Sequence, residues 1–159
     1  MGNEPIGPFK GEYRWLSNFW EAPIHLNGMT YPTTEHFYQS SKTLDVQEKD
    51  AILTSQKPRE AKFLGADATI RDDWDDLKLG IMLQANLLKY TQHDSLGNLL
   101  MDTGDETLVE FNRWHDNFWG VCTCDTCDSK LGENNLGLTL MLIRASLRNM
   151  KSTSANNFN

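Results

Sequence analysis

In the first third of the chain, apolar residues come in short bursts broken by Gly, Pro and Asn, the pattern of short strands and irregular segments. Pro23-Ile24-His25-Leu26 and Met29-Thr30-Tyr31 flank Asn27-Gly28. A type I′ turn needs positive φ at both central residues, so this dipeptide predicts a hairpin, and Pro32 ends its second strand. From Thr33 the period turns helical. A helix is predicted from Thr33 or Thr34, either hydroxyl serving as cap, to about Thr43, with Glu35 in the electropositive first turn. Two more are predicted over 45–54 and 58–65, the second opening on Pro58 and closing on Gly65 as the residue just past its end. The longest helical signal covers 72–90, where Trp74, Leu77, Ile81, Ala85 and Leu88 recur on one face. Asp94 is read as the cap of a short helix through Met101, closed by Gly104, and Leu108–Phe111 as a short strand. A last helix is expected over about 136–150, with Leu136, Leu140, Ile143 and Leu147 on one stripe. The sum is an α+β chain, mainly α: a single domain over 1–150 with a few short N-terminal strands, and a polar tail at 151–159 expected to be disordered.

A chain of 159 residues suits one domain able to bury its own core. The net charge of −7 argues against strong binding to duplex nucleic acid, which needs clustered Lys and Arg, but leaves room for a small anionic ligand held by a few local cations. No apolar run reaches the ~20 residues of a membrane span. The first residues lack the basic and apolar regions of a signal peptide, so a cytoplasmic location is expected. The three cysteines, at 122, 124 and 127, are odd in number and crowded, which disfavours a disulfide framework.

Candidate chemistry concentrates in two stretches. On a helix from Thr33, Glu35, Tyr38, Gln39 and Lys42 fall within an arc of roughly 100°. They offer a carboxylate, a phenol, an amide and an ammonium to a polar substrate; the ordinary alternative is a solvated polar stripe. Asp116 lies in Trp114-His115-Asp116-Asn117-Phe118-Trp119-Gly120, where the rings can wall a base while the acid acts on a sugar. The alternative there is a turn Asp at an aromatic core edge. Asn18 either binds a substrate hydroxyl or makes an Asx-turn. Lys62, Arg71, Lys78 and Lys89 are candidate phosphate contacts or surface charges. Cys122-x-Cys124-x-x-Cys127 supplies three soft ligands, with His115 or an Asp as a candidate fourth, for a structural zinc; unliganded thiols are the alternative.

Taken in order, the motifs resemble the NADAR family, also called YbiA-like. The resemblance rests on Leu16-Ser17-Asn18-Phe19, on Tyr31-Pro32-Thr33-Thr34-Glu35-His36-Phe37-Tyr38-Gln39-x-x-Lys42, and on Ala61-Lys62-x-x-Gly65. It continues through Trp74…Lys78, Thr103-Gly104…Leu108-Val109-Glu110, Asp116-x-Phe118-Trp119-Gly120 and Gly132-x-Asn134-x-Leu136-Gly137 to Arg144. It implies a compact, mainly helical fold and an N-glycosidase acting on phosphoribosylamino-pyrimidine intermediates of riboflavin synthesis or on ADP-ribosylated guanine in nucleic acid. Carried over by motif, Glu35 and Asp116 are the acids expected to matter, Lys42 and Asn18 match family positions, and Trp74 lines the site. Tyr38, Lys78, Trp119 and Asn134 complete the expected substrate contacts. The cysteine cluster stands where the better-known members have a short Gly-rich link, a departure that bears on substrate choice.

Departure of an amine from ribose C1′ passes through an oxocarbenium-like state. Glu35 is expected to stabilise that charge or activate water, with Asp116 as acid/base partner, the two roles being interchangeable. Lys42 is expected as an ion partner or phosphate contact, with Schiff-base attack on an opened ribose as a second part. Catalysis of this kind needs no cofactor. The main rival is a non-catalytic reader of ADP-ribose or NAD-like ligands using the same pocket.

Overall fold

Asn27 and Gly28 take the positive φ values, 50° and 79°, that their turn demands. Strands β1 (Ile24–Leu26) and β2 (Met29–Tyr31) therefore pair antiparallel with Ile24 opposite Tyr31 and Leu26 opposite Met29. This is a computed structural model, and it describes residues 4–128 and 131–156. They form two compact units: one contiguous, Asn18–Gln92, and one built from the segment ending at Ser17 together with the chain from His93 onward. The molecule is α+β and mainly helical, as its patterning predicts. Among the described residues no helix is long and apolar enough to cross a membrane.

The contiguous unit carries the hairpin and helices α1 (Thr34–Ser40), α2 (Val46–Thr54), α3 (Pro58–Asp67) and α4 (Trp74–Gln92). Thr33 caps α1 by accepting from the His36 N–H, and Asp45 caps α2 by accepting from the Gln47 and Glu48 N–H groups, so two N-termini satisfy their orphan donors with side chains. Ile24 of the hairpin, Phe37 of α1 and Ala85 of α4 meet in one buried cluster, flanked by Leu26, Tyr31, Ile81 and Leu88. The Tyr31 ring meets Phe37 edge-on at 4.9 Å between centroids.

The discontinuous unit begins with a 3-10 helix (Gly11–Leu16), where sequence patterning suggested only irregular structure. It continues with α5 (Asp94–Asp102), two two-residue strands, β3 (Phe111–Asn112) and β4 (Val121–Cys122), paired in parallel, and α6 (Asn135–Asn156). Ile6 bridges Leu108 in parallel fashion, tying the N-terminal segment to the middle of the chain. Arg144 on α6, buried, donates to the Thr103 hydroxyl at 2.8 Å and the Glu106 carbonyl at 2.9 Å, joining α6 to the turn after α5.

Several boundaries differ from the sequence reading, each for a local reason. The first helix stops at Ser40 because Thr43 leaves the helical path to bridge Ile70. His93, not Asp94, occupies the cap position of α5. The expected strand at 108–111 forms its regular ladder only at Phe111–Asn112. The last helix does not end at Met150: Ser152 and Thr153 donate their hydroxyls to the carbonyls of Arg148 and Asn149, four residues back, and Lys151 reaches Asn98. Residues 157–159 of the expected tail lie outside the described residues. Gly65 is no helix terminator. It sits inside α3, where a Cβ would overlap the Gln39 amide oxygen and lie 2.8 Å from Gln39 Cβ. Glycine here lets α3 approach α1.

Two stability predictions follow from this packing. Gly65→Ala forces Gln39 aside, so a loss of about 1–3 kcal/mol is expected despite the better helix propensity of Ala. A urea midpoint at or above that of the parent would show that the α1–α3 contact yields freely. The second concerns Lys89, a residue considered above for phosphate binding, which the structure buries completely on α4 with its ammonium 5.0 Å from the Tyr90 ring centroid. Burial pulls its pKa down to about 7. Between pH 7 and 9 the unfolded chain therefore holds a proton that the folded one has released, so stability rises with pH, by at most about 1.4 kcal/mol per unit. Lys89→Met should flatten that rise in urea unfolding at pH 7, 8 and 9. Equal slopes in parent and variant would refute it.

Candidate active site

Helix α1 is short, yet every one of its residues is buried. The polar face that could have been a solvated stripe is therefore interior: Glu35 is 6% exposed, Tyr38 6% and Gln39 3%. Burying so many polar groups requires partners for them. Glu35 starts with its backbone, whose N–H donates to the Asn18 carbonyl at 3.1 Å. Its carboxylate Oε1 accepts from Gln39 Nε2, one turn on, at 2.7 Å. Thr34 donates its hydroxyl to the Asn18 carbonyl at 3.0 Å. The side chain of Asn18, itself buried, accepts from Asn86 Nδ2 at 3.1 Å and donates to Met82 Sδ at 3.2 Å. Asn18 thus fixes the start of α1 against α4, its side chain bonding to Thr34 of α1 and to Met82 and Asn86 of α4.

Beyond Glu35 the face becomes aromatic, then cationic. Trp74, at the start of α4 and 8% exposed, meets Tyr38 edge-on at 5.1 Å. The Lys42 ammonium lies 5.6 Å from the centroid of the Tyr38 ring. Burial lowers the Lys42 pKa; the nearby Glu35 charge opposes that fall and the Lys62 charge adds to it. Carboxylate, phenol, indole and a softened ammonium therefore occupy one region of this unit. Lys78, one turn beyond Trp74, is held in an ion pair with Asp75 at 2.6 Å. Arg71 is likewise paired, with Asp73. His36 faces away from this group: its Nδ1 accepts from the Thr33 hydroxyl at 2.8 Å and its Nε2 donates to the Ser55 carbonyl at 3.1 Å. Burial lowers its pKa, which suits a neutral imidazole with a packing role.

Asn86 is the residue that the sequence reading missed. Its signal was present: a polar side chain between Met82 and Lys89 at spacings of four and three on a helix whose same face is buried.

The second stretch lies wholly in the other unit. Asn112 organises it, accepting from the N–H groups of Trp114 and Asp116 and donating to the Asp116 carbonyl at 2.7 Å. Asp116 Oδ1 in turn accepts from the Phe118 N–H at 3.2 Å and the Trp119 N–H at 2.8 Å, an Asx-type turn that holds its carboxyl beside the aromatic pair. The Phe118 and Trp119 rings sit edge-on at 4.9 Å. Gly120 allows the chain to return past Glu110, whose carbonyl a Cβ would overlap. Asn134 holds a φ of 54°, accepts from the Glu110 N–H at 3.1 Å and donates to the Leu108 carbonyl at 2.9 Å, so its amide serves the backbone here. Cys122, Cys124 and Cys127 are free thiols gathered with His115, an arrangement compatible with a structural zinc.

Comparison with known proteins places these features in a family. The chain is 40% identical to an N-glycosidase of Nostoc punctiforme over 147 residues, covering 88% of this chain and 89% of that protein. It is 36% identical to the N-glycosidase YbiA of Escherichia coli over 138 residues, 86% of this chain and 82% of that one. A riboflavin biosynthesis protein of Vibrio vulnificus is 32% identical over 136 residues, but they make up only 35% of its length. The NMR structure of Escherichia coli YbiA superposes with a TM-score of 0.80 at 32% identity, covering 93% of this chain and 86% of that one. With the NADAR domain model matching residues 7–148 as well, the chain belongs to the NADAR family.

Proposed function

We propose that this protein is an N-glycosidase that hydrolyses the bond between ribose C1′ and a base or amino-pyrimidine nitrogen in a nucleotide-like substrate. The substrate is either a phosphoribosylamino-pyrimidine or ADP-ribosylated guanine. The carrying observation is the buried Glu35 carboxylate, held by Gln39 beside the Tyr38–Trp74 pair and within the field of Lys42. The names of the similar N-glycosidases support the reaction class.

The chemistry follows from that setting. As the C1′–N bond lengthens, positive charge grows on C1′ and the ring oxygen. A carboxylate already desolvated and fixed stabilises that charge without solvent reorganisation, and the same group can take a proton from the attacking water. The leaving nitrogen departs with its electron pair and needs a proton, the part proposed for Asp116. Lys42 serves first as the cation that pairs with Glu35 or with a substrate phosphate. Its lowered pKa also supports the second route, attack of the free amine on an opened ribose aldehyde. Catalysis by these groups requires no cofactor. The family match across both compact units supports treating residues 7–148 as one functional domain.

Incubation with each of the two substrates and detection of free base tests the reading. Release from one identifies the substrate, while tight binding without release from either favours the non-catalytic reader. Glu35→Gln keeps the size of the side chain and an oxygen able to accept from Gln39, but removes the charge. Turnover should fall at least ~10²-fold with the melting temperature nearly unchanged. Near-normal turnover would leave Glu35 a structural role only. Trp74→Ala should weaken binding by the roughly 1–3 kcal/mol typical of base–aromatic stacking. The same change can remove ~3–5 kcal/mol of stability, so affinity is to be measured on the folded fraction. Undiminished affinity in a folded variant would remove Trp74 from the binding surface.

A further inference from the structure

Four potential ligands converge at one point of the discontinuous unit. Cys122 comes from β4 and is buried; Cys124 and Cys127 follow in a turn closed by the Cys127 N–H donating to the Cys124 carbonyl at 3.3 Å. His115 comes from the preceding loop. The three Sγ atoms and one imidazole nitrogen all lie within 4.8 Å of one another. His115 Nδ1 is 3.2 Å from Cys127 Sγ and 3.4 Å from Cys124 Sγ. We propose that His115 Nδ1, Cys122 Sγ, Cys124 Sγ and Cys127 Sγ bind one zinc ion in a closed tetrahedral site.

The dimensions fit. With Zn–S near 2.3 Å and Zn–N near 2.0–2.1 Å, a regular tetrahedron has S···S edges of about 3.8 Å and N···S edges of about 3.6 Å. Ligand atoms lying within 4.8 Å of one another, with two N···S separations of 3.2 and 3.4 Å, are already at that scale. The donor set selects the ion. Three soft sulfurs and one imidazole in a tetrahedral arrangement suit zinc, whereas magnesium and calcium take oxygen. On binding, the three thiols give up their protons to solvent, and His115 keeps its proton on Nε2 so that the Nδ1 lone pair faces the metal.

The backbone supplies a second observation. His115 holds a φ of 66°, a left-handed conformation that a non-glycine residue adopts only at a cost. The loop that takes this conformation carries the imidazole to the two sulfurs. The site has four protein ligands and no open position, so its role is structural. It closes a loop from 115 to 127 that contains Asp116 and Trp119. The proposal does not rest on the glycosidase reading, because its test reads metal and not turnover.

Tag-free protein, purified reduced and without chelator, should carry about one zinc per chain by mass spectrometric metal analysis. Titration of stripped, reduced protein with cobalt(II) should give the sulfur-to-metal charge-transfer band of three thiolates and the strong visible bands of a tetrahedral site. Cys124→Ser should weaken zinc binding by at least about 100-fold, beyond the roughly 10–100-fold that outer-shell changes cost. His115→Gly, which relieves the backbone conformation and so protects the fold, should keep the thiolate band but weaken binding as well. Metal-free reduced protein with no cobalt charge-transfer band overturns the proposal, as does unaltered zinc affinity in folded Cys124→Ser. Unaltered affinity in His115→Gly removes the fourth ligand and with it the tetrahedral site.

Discussion

A helix with no exposed residue cannot leave its polar groups to water, and α1 carries Thr34, Glu35, His36, Tyr38, Gln39 and Ser40 in a single run. That constraint shapes the whole of the Asn18–Gln92 unit. Each group finds a specific partner: Thr34 the backbone of Asn18, Glu35 the amide of Gln39, His36 the Thr33 hydroxyl and the Ser55 carbonyl, Ser40 the carbonyl of Phe37. Such partners tolerate little displacement, since hydrogen bonds weaken steeply with distance and angle. The hairpin, the α3 approach at Gly65 and the buried face of α4 can be understood as the walls required to hold one polar helix in an apolar surrounding.

The same burial gives the site its character. Desolvation strengthens every charge interaction around Glu35 and shifts Lys42 toward its neutral form, effects that a surface stripe of the same residues would not show. One exception to complete partnering is Gln39 Oε1, which has no hydrogen-bond donor among the described residues. It faces Gly65, where an added Cβ would lie 2.1 Å from it. The pairing of Gln39 with Glu35 and the absence of a side chain at residue 65 are thus parts of one arrangement.

Short-range chemistry was legible in the sequence. Asn27-Gly28 specified its hairpin, one of the two hydroxyls offered at 33 and 34 caps the first helix, and the spacing 35, 38, 39 grouped side chains that this helix carries, whereas Lys42 lies beyond its end at Ser40. What the sequence could not reveal was depth. Exposed and buried polar faces have the same periodicity, so the burial of α1 depends on partners far along the chain, Asn18 and Asn86 among them. Gly65 shows the same limit: a terminator and a close-approach residue are written with the same letter. At the C-terminal end, residues from 151 read as a polar tail, yet α6 continues to Asn156, with the Ser152 and Thr153 hydroxyls donating to carbonyls one turn back.

The two units differ in how their residues are distributed along the chain, and this has a consequence for biosynthesis. Every element of the Asn18–Gln92 unit is available once Gln92 has left the ribosome. The other unit is interrupted, and its Ile6–Leu108 bridge joins the beginning of the chain to a segment about a hundred residues later. At translation rates of about 5–20 residues per second, Ile6 waits roughly 5–20 s for that partner to be made. During that interval the bridge cannot form, so the interrupted unit closes only after the contiguous unit between its two parts has been synthesised.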